Sequence, residues 1–132
     1  MTEEKLLDGN APSFSWKARL KSFVYAWEGI VSFFRREHNA QIHLTITFLV
    51  FILSITLGVN KLEAIAVVFS TAFVWIAEMF NTAIEKTMDF VSLEKHPQIK
   101  LIKDISAGAV LIAAIAAVIV GCFVFIPKLV EL

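Results

Sequence analysis

The chain has 132 residues, 58% of them apolar and 18% charged, and a mean hydropathy of +0.73. That balance excludes a soluble domain of this size and makes a membrane its solvent. Twelve Lys and Arg offset twelve Asp and Glu, so no basic excess marks a nucleic-acid partner, and the positions of the charges carry the information.

Residues 1–15 are polar and acidic, lack periodicity and contain Gly9-Asn10-Ala11-Pro12, which predicts a flexible N-terminal tail. They hold no apolar run of the kind that precedes a cleavage site, so the N-terminus is expected to be retained. From Trp16 the apolar residues Leu20, Phe23, Trp27, Ile30, Val31 and Phe34 recur at helical spacing, with Lys17, Lys21, Glu28 and Ser32 on other faces. A helix over about 16–37 with this make-up belongs along the membrane surface, either as an anchor or as a lip through which a lipid enters.

Three stretches then approach the roughly 20 residues that a hydrocarbon core requires: about 42–59, 62–81 and 105–126. Gly58-Val59-Asn60-Lys61 marks the turn between the first two. The second pattern continues as a helix to about residue 90, and a polar connection over Ser92–Lys100 leads to the third, which ends at Pro127-Lys128. In the third span Ser106, Ala107, Gly108, Ala109, Ala113, Ala114, Ala116 and Ala117 form a surface small enough for close helix approach in lipid. Cys122, the single cysteine, lies in that span and is expected to pack rather than react.

Six of the Lys and Arg residues precede the first span, four lie between the second and third, and only Lys61 and Lys128 stand on the other side. The positive-inside rule places the N-terminus and the 82–104 region in the cytoplasm and the C-terminus outside.

The foot of the second span reads Glu78-Met-Phe-Asn81-Thr-Ala-Ile-Glu85-Lys-Thr-Met-Asp89. At about 100° per residue, Glu85 and Asp89 return to within roughly 20° of Glu78, and Asn81 lies about 60° to one side. An ionisable side chain near lipid costs roughly 2.5–3.5 kcal/mol even on lenient insertion scales, so such a column should face protein or water and have a task. A solvated helix end compensated by Lys86 and Lys95 would also account for Asp89. It accounts poorly for Glu78, which follows Phe73-Val-Trp-Ile-Ala77 at the hydrocarbon boundary.

Glu37 ahead of the first span and Lys103-Asp104 at the mouth of the third add to the column, with Arg19, Lys21, Arg35 and Arg36 as further cations. Paired carboxylates suit Mg²⁺, which keeps waters that phosphate oxygens can replace. Lys and Arg neutralise phosphate, and a desolvated carboxylate can take a proton from an alcohol. Those parts fit phosphoryl transfer, which needs positioning and charge neutralisation above all. Zinc fits worse, because His38, His43 and His96 lack partners at zinc spacing. No P-loop, GxGxxG turn or protein-kinase signature is present. Two classes stay open on these grounds: a lipid or polyprenol kinase, and a small proton-coupled transporter that uses a membrane carboxylate.

At Glu78-x-x-Asn81-Thr82-Ala83-Ile84-Glu85-x-x-x-Asp89, followed by Lys103-Asp104 opening an alanine-rich last helix, the chain resembles the prokaryotic diacylglycerol kinase family, which includes undecaprenol kinases. The resemblance runs from about Arg19 to Ile126. It implies an all-α integral membrane fold, a surface helix plus three transmembrane helices, with residues 16–132 as a single membrane kinase domain. It also implies a homotrimer with active sites at subunit boundaries in the bacterial plasma membrane. The implied reaction moves the γ-phosphate of ATP, with Mg²⁺, to the hydroxyl of a membrane lipid: diacylglycerol giving phosphatidic acid, or alternatively undecaprenol. By the resemblance Glu78 is the general base, Glu37 and Glu85 are magnesium ligands, and Asn81 organises the site. Lys103 grips phosphate, Asp104 orients nucleotide or base, and Arg19 and Lys21 match basic nucleotide-binding positions on the surface helix. Glu37-His-Asn39-Ala-Gln41-Ile42-His43 resembles the undecaprenol kinase branch, although Gln41 stands where that branch commonly has arginine.

Overall fold

Asn60 shows how closely local sequence dictates the turn between the first two membrane helices. Its Oδ1 accepts hydrogen bonds from the Leu62 and Glu63 amides, each at 3.0 Å, while Glu63 Oε2 accepts from the Asn60 amide at 2.8 Å. This reciprocal capping box satisfies helix-end donors that hydrocarbon cannot. Gly58, at φ +59°, supplies the left-handed residue that lets the preceding helix stop.

The computed structural model describes residues 15–131. They form α1 (Trp16–Arg36), α2 (His38–Thr56), α3 (Lys61–Val91) and α4 (Pro97–Val130), with no strand among the described residues. The tail expected over 1–15 lies outside them except for Ser15, whose Oγ accepts from the Ala18 amide at 3.4 Å. The chain divides into two units, Met1–Arg35 and Arg36–Leu132.

The first unit holds nearly all of α1. Trp16, Leu20, Phe23 and Trp27 are exposed, as an interfacial helix requires. Lys21 Nζ sits 5.8 Å from the Tyr25 ring centroid, a cation held on an aromatic face.

In the second unit α2, α3 and α4 are each long and apolar enough to cross a membrane. At 1.5 Å per residue, α2 is about 28 Å long, α3 about 46 Å and α4 about 51 Å, against a hydrocarbon core of about 30 Å. So α2 just spans, whereas α3 and α4 overrun and carry the polar stretches beyond the hydrocarbon. Both hairpins are antiparallel. His43 meets Glu78 and Thr47 meets Trp75 across α2 and α3, while Lys128 meets Glu63 and Lys103 meets Asp89 at opposite ends of the α3–α4 pair.

α3 packs mainly on α4. Ala113 and Ser106 of α4 are buried, whereas Ala107, Ala109 and Ala116 face outward. Val67, Val124 and Phe125 make the apolar core near the Gly58 turn, flanked by Val50, Leu53, Leu57, Val59 and Val120. Phe48, Phe69, Phe73 and Phe123 are exposed to the surroundings, which for a spanning bundle means hydrocarbon.

The last helix is longer than its apolar pattern. It starts at Pro97 rather than near 105, because His96 Nδ1 accepts from the Gln98 amide at 3.2 Å and Pro97 occupies a first-turn position where its missing N–H is harmless. It also runs through Pro127 to Val130, and the Pro127 carbonyl accepts from the Glu131 amide at 3.2 Å. The polar connection thereby shortens to the residues between Val91 and Pro97.

Candidate active site

The polar residues of α3 lie along one helix face, and their exposure rises from the apolar middle toward the end. Glu78 is 3% exposed and Asn81 6%, Glu85 is half-buried, and Asp89 is exposed. Three helices hold this column in successive layers.

Deepest, Trp75 Nε1 donates to Thr47 Oγ1 at 3.1 Å and ties α3 to α2. One turn outward, His43 Nε2 of α2 lies 3.4 Å from Glu78 Oε1, with the imidazole edge-on to the Trp75 ring. Below this pair, an apolar cavity of about 280 Å³ opens between α2, α3 and α4, with His43, Thr47, Val74, Trp75, Ala114 and Phe125 in its wall. The cavity reaches the buried carboxylate only through His43, which lines it and pairs with Glu78.

In the next layer Asn81 Nδ2 donates to Glu85 Oε1 at 3.2 Å, and Asn81 Oδ1 accepts from Ser106 Oγ of α4 at 2.6 Å. Outermost are ion pairs. Lys86 Nζ is 2.8 Å from Glu37 Oε1, Lys103 pairs with Asp89, and Lys100 pairs with Asp104. Glu37 is the single extended residue between α1 and α2, and its side chain makes no cap hydrogen bond to α2, which leaves the carboxylate for Lys86. Every buried side-chain nitrogen or oxygen among the described residues has a partner.

The structure thus joins Asn81 to Glu85 on α3, sets Glu78 against His43 of α2, and places Glu37 against Lys86 and Lys103 against Asp89. Asp104 turns to the exposed side of α4 with Lys100. Arg19 and Lys21 belong to α1 in the other unit. No three His, Cys, Asp or Glu side chains converge into a metal cage among the described residues. Glu37 and Glu85 each have one carboxylate oxygen engaged, by Lys86 and Asn81 respectively.

Sequence reasoning passed over Ser106, Thr47 and the Lys86–Glu37 pair. In the sequence Ser106 stands as one of a run of small residues, and only the helix–helix register brings its hydroxyl to Asn81. The signal available for Thr47 and Trp75 was that each is a hydrogen-bonding side chain inside an apolar span, which needs a partner there.

Three helices long and apolar enough to span a membrane, holding a buried carboxylate and a row of acidic and basic side chains, define a membrane protein with a polar site. The family model for prokaryotic diacylglycerol kinase matches residues 24–125, and the chain belongs to that family. It is 44% identical over 117 residues to a Synechocystis protein named diacylglycerol kinase, covering 86% of this chain and 65% of that protein. To a Bacillus subtilis protein named undecaprenol kinase it is 36% identical over 109 residues, covering 83% of this chain and 89% of the relative. To the Escherichia coli K12 diacylglycerol kinase it is 30% identical over 103 residues, or 78% and 84%. The chain is a lipid kinase with three membrane-spanning helices, and a kinase takes its phosphate from a nucleotide donor.

Proposed function

We propose that the chain transfers the γ-phosphate of ATP, bound with Mg²⁺, to the hydroxyl of a membrane lipid, diacylglycerol first, giving phosphatidic acid. The observation that carries this reading is the position of Glu78: buried, paired with His43, which lines the apolar cavity, and one turn before Asn81 on the helix that continues into Glu85 and Asp89.

In this reading the lipid tail stays in apolar surroundings and its hydroxyl meets Glu78. The carboxylate accepts the hydroxyl proton as the alcohol oxygen bonds to the γ-phosphorus and the bond to the nucleotide diphosphate breaks. Water is scarce around a side chain so buried, which disfavours hydrolysis of the donor. Lys103 faces the phosphates, exchanging Asp89 for a more highly charged partner, and Asp104 orients the nucleotide or base. Arg19 and Lys21 are assigned to the nucleotide on the resemblance alone. Asn81 keeps the acidic face in order.

Glu37 and Glu85 would hold the metal. Two carboxylates suit Mg²⁺, which takes its remaining ligands from water and phosphate. The Lys86 side chain that now covers Glu37 is 63% exposed and can leave at little cost. The ion would supply charge neutralisation on the phosphate oxygens.

The charge distribution favours an orientation with this face in the cytoplasm of a bacterial plasma membrane, where ATP is available. Three helices that leave Glu85 and Glu37 only half-buried favour completion of the site by neighbouring copies in a homotrimer.

Undecaprenol is the second reading of the acceptor, favoured by the Bacillus subtilis relative and by the Glu37–His43 segment. An apolar groove separates tails differing by a methylene by only about 1–3 kcal/mol, so competition is the decisive measurement. Purified protein in mixed micelles holding both alcohols, with labelled ATP, is expected to place label chiefly in phosphatidic acid. Label chiefly in the polyprenyl phosphate would make undecaprenol the acceptor. Label in neither, with substrate flux in sealed vesicles, would restore the transporter reading.

A further inference from the structure

Ser106 and Asn81 make the shortest contact between neutral side chains in the site, Oγ to Oδ1 at 2.6 Å, and both residues are buried. The Ser106 hydroxyl carries one proton and has two acceptors in reach, Asn81 Oδ1 and the Lys103 carbonyl at 2.9 Å. Glu85 decides between them. Its carboxylate only accepts, so the Asn81 group facing it at 3.2 Å must be the amide NH₂. That turns Oδ1 toward Ser106, and the hydroxyl proton goes to Asn81. The reverse amide orientation would set two oxygens against each other at Glu85. Charge on Glu85, the orientation of Asn81 and the proton of Ser106 are therefore one linked arrangement, spanning α3 and α4.

We infer that Ser106 is a positioning residue of the kinase site: acting through Asn81, it holds the Glu85 carboxylate in the orientation that takes the metal–nucleotide. The inference rests on the proposed role of Glu85 and adds to it the residue that sets its geometry. The same hydroxyl ties α4, which carries Lys103 and Asp104, to the acidic face of α3 within one helical turn of Lys103. Without it, the Asn81 amide can turn and Glu85 loses a fixed donor. Partners that orient a ligand in this way commonly govern metal affinity.

The test compares the full chain with Ser106→Ala, Ser106→Thr and Glu85→Ala in the same micelles. Binding of Mn²⁺ in the presence of a non-hydrolysable ATP analogue is followed by loss of the free Mn²⁺ signal in electron paramagnetic resonance. Lipid kinase rate against Mg²⁺ concentration is measured in parallel. Ser106→Ala is expected to weaken Mn²⁺ binding by about 3- to 10-fold, the worth of one buried neutral hydrogen bond. Half-maximal Mg²⁺ should rise by a similar factor while the KM for lipid stays within twofold. Ser106→Thr, which restores the hydroxyl, should recover most of both. Should Ser106→Ala fail to give a monodisperse protein, Ser106→Cys, of similar volume and a poor donor, takes its place with the same expectation. If Glu85→Ala weakens Mn²⁺ binding and Ser106→Ala does not, the positioning role of Ser106 is overturned while that of Glu85 stands. If Glu85→Ala itself leaves binding unchanged, the metal assignment falls and the inference with it. Equal weakening by Ser106→Ala and Ser106→Thr would mean that packing, and not the hydroxyl, is responsible, and would also overturn it.

Discussion

His43 on α2 and Glu78 on α3 face each other across the helix interface, Nε2 3.4 Å from Oε1, with the carboxylate side chain only 4% exposed. A carboxylate so deeply placed near hydrocarbon has no water to replace a lost partner.

Removal of His43 should therefore leave Glu78 stranded. His43→Leu is expected to lower stability by about 1–3 kcal/mol, and the loss should shrink when Glu78→Gln is also present. A double-mutant cycle of unfolding in micelles measures the coupling. Strict additivity would mean that the two side chains do not interact.

Glu78→Gln keeps shape and volume but cannot accept the alcohol proton. The rate of lipid phosphorylation is expected to fall by at least about 100-fold, the usual range for a positioned base, while folding and nucleotide binding persist. Near-parental phosphorylation by the purified variant would reject Glu78 as the proposed base.

Lys103 is held by Asp89 on the exposed side of the site, so its loss leaves no buried charge. Lys103→Met should raise the nucleotide concentration for half-maximal rate by about 10-fold or more, since hydrogen bonds to charged groups contribute about 1.5–3 kcal/mol. Lys103→Arg should retain part of the affinity. Saturation curves for nucleotide at fixed lipid check both, and an unchanged curve for Lys103→Met would remove it from the phosphate site.

Gly58 separates backbone conformation from packing. Its φ is +59°, yet a Cβ there would meet nothing within 4 Å. Gly58→Ala should cost about 1 kcal/mol through the left-handed backbone alone, with activity per folded molecule unchanged. Unfolding midpoints and rates on the same preparations test this. A change in KM for lipid would show that the turn reaches the site.

Much of the architecture was legible because lipid imposes a strict rule: each crossing needs about 20 apolar residues, and polar residues at its end must have partners. The turn at Gly58–Asn60 and the alignment of Glu78, Asn81, Glu85 and Asp89 on one face follow from residue type and helical period alone. The ends of α4 were less legible. Hydropathy reports where hydrocarbon contact stops, whereas a helix stops where its caps allow, and His96 with Pro97 starts this one well before its apolar run.

The sequence by itself determined the solvent, the number of crossings, the acidic column and the family resemblance, because each is set by local composition or by spacing along one helix. Partnership was decided only by the tertiary structure. That His43 faces Glu78, that Lys86 covers Glu37 and that Ser106 reaches Asn81 depend on the register between helices. Register comes from how side chains interlock across α2, α3 and α4, a property of facing surfaces that no single segment contains.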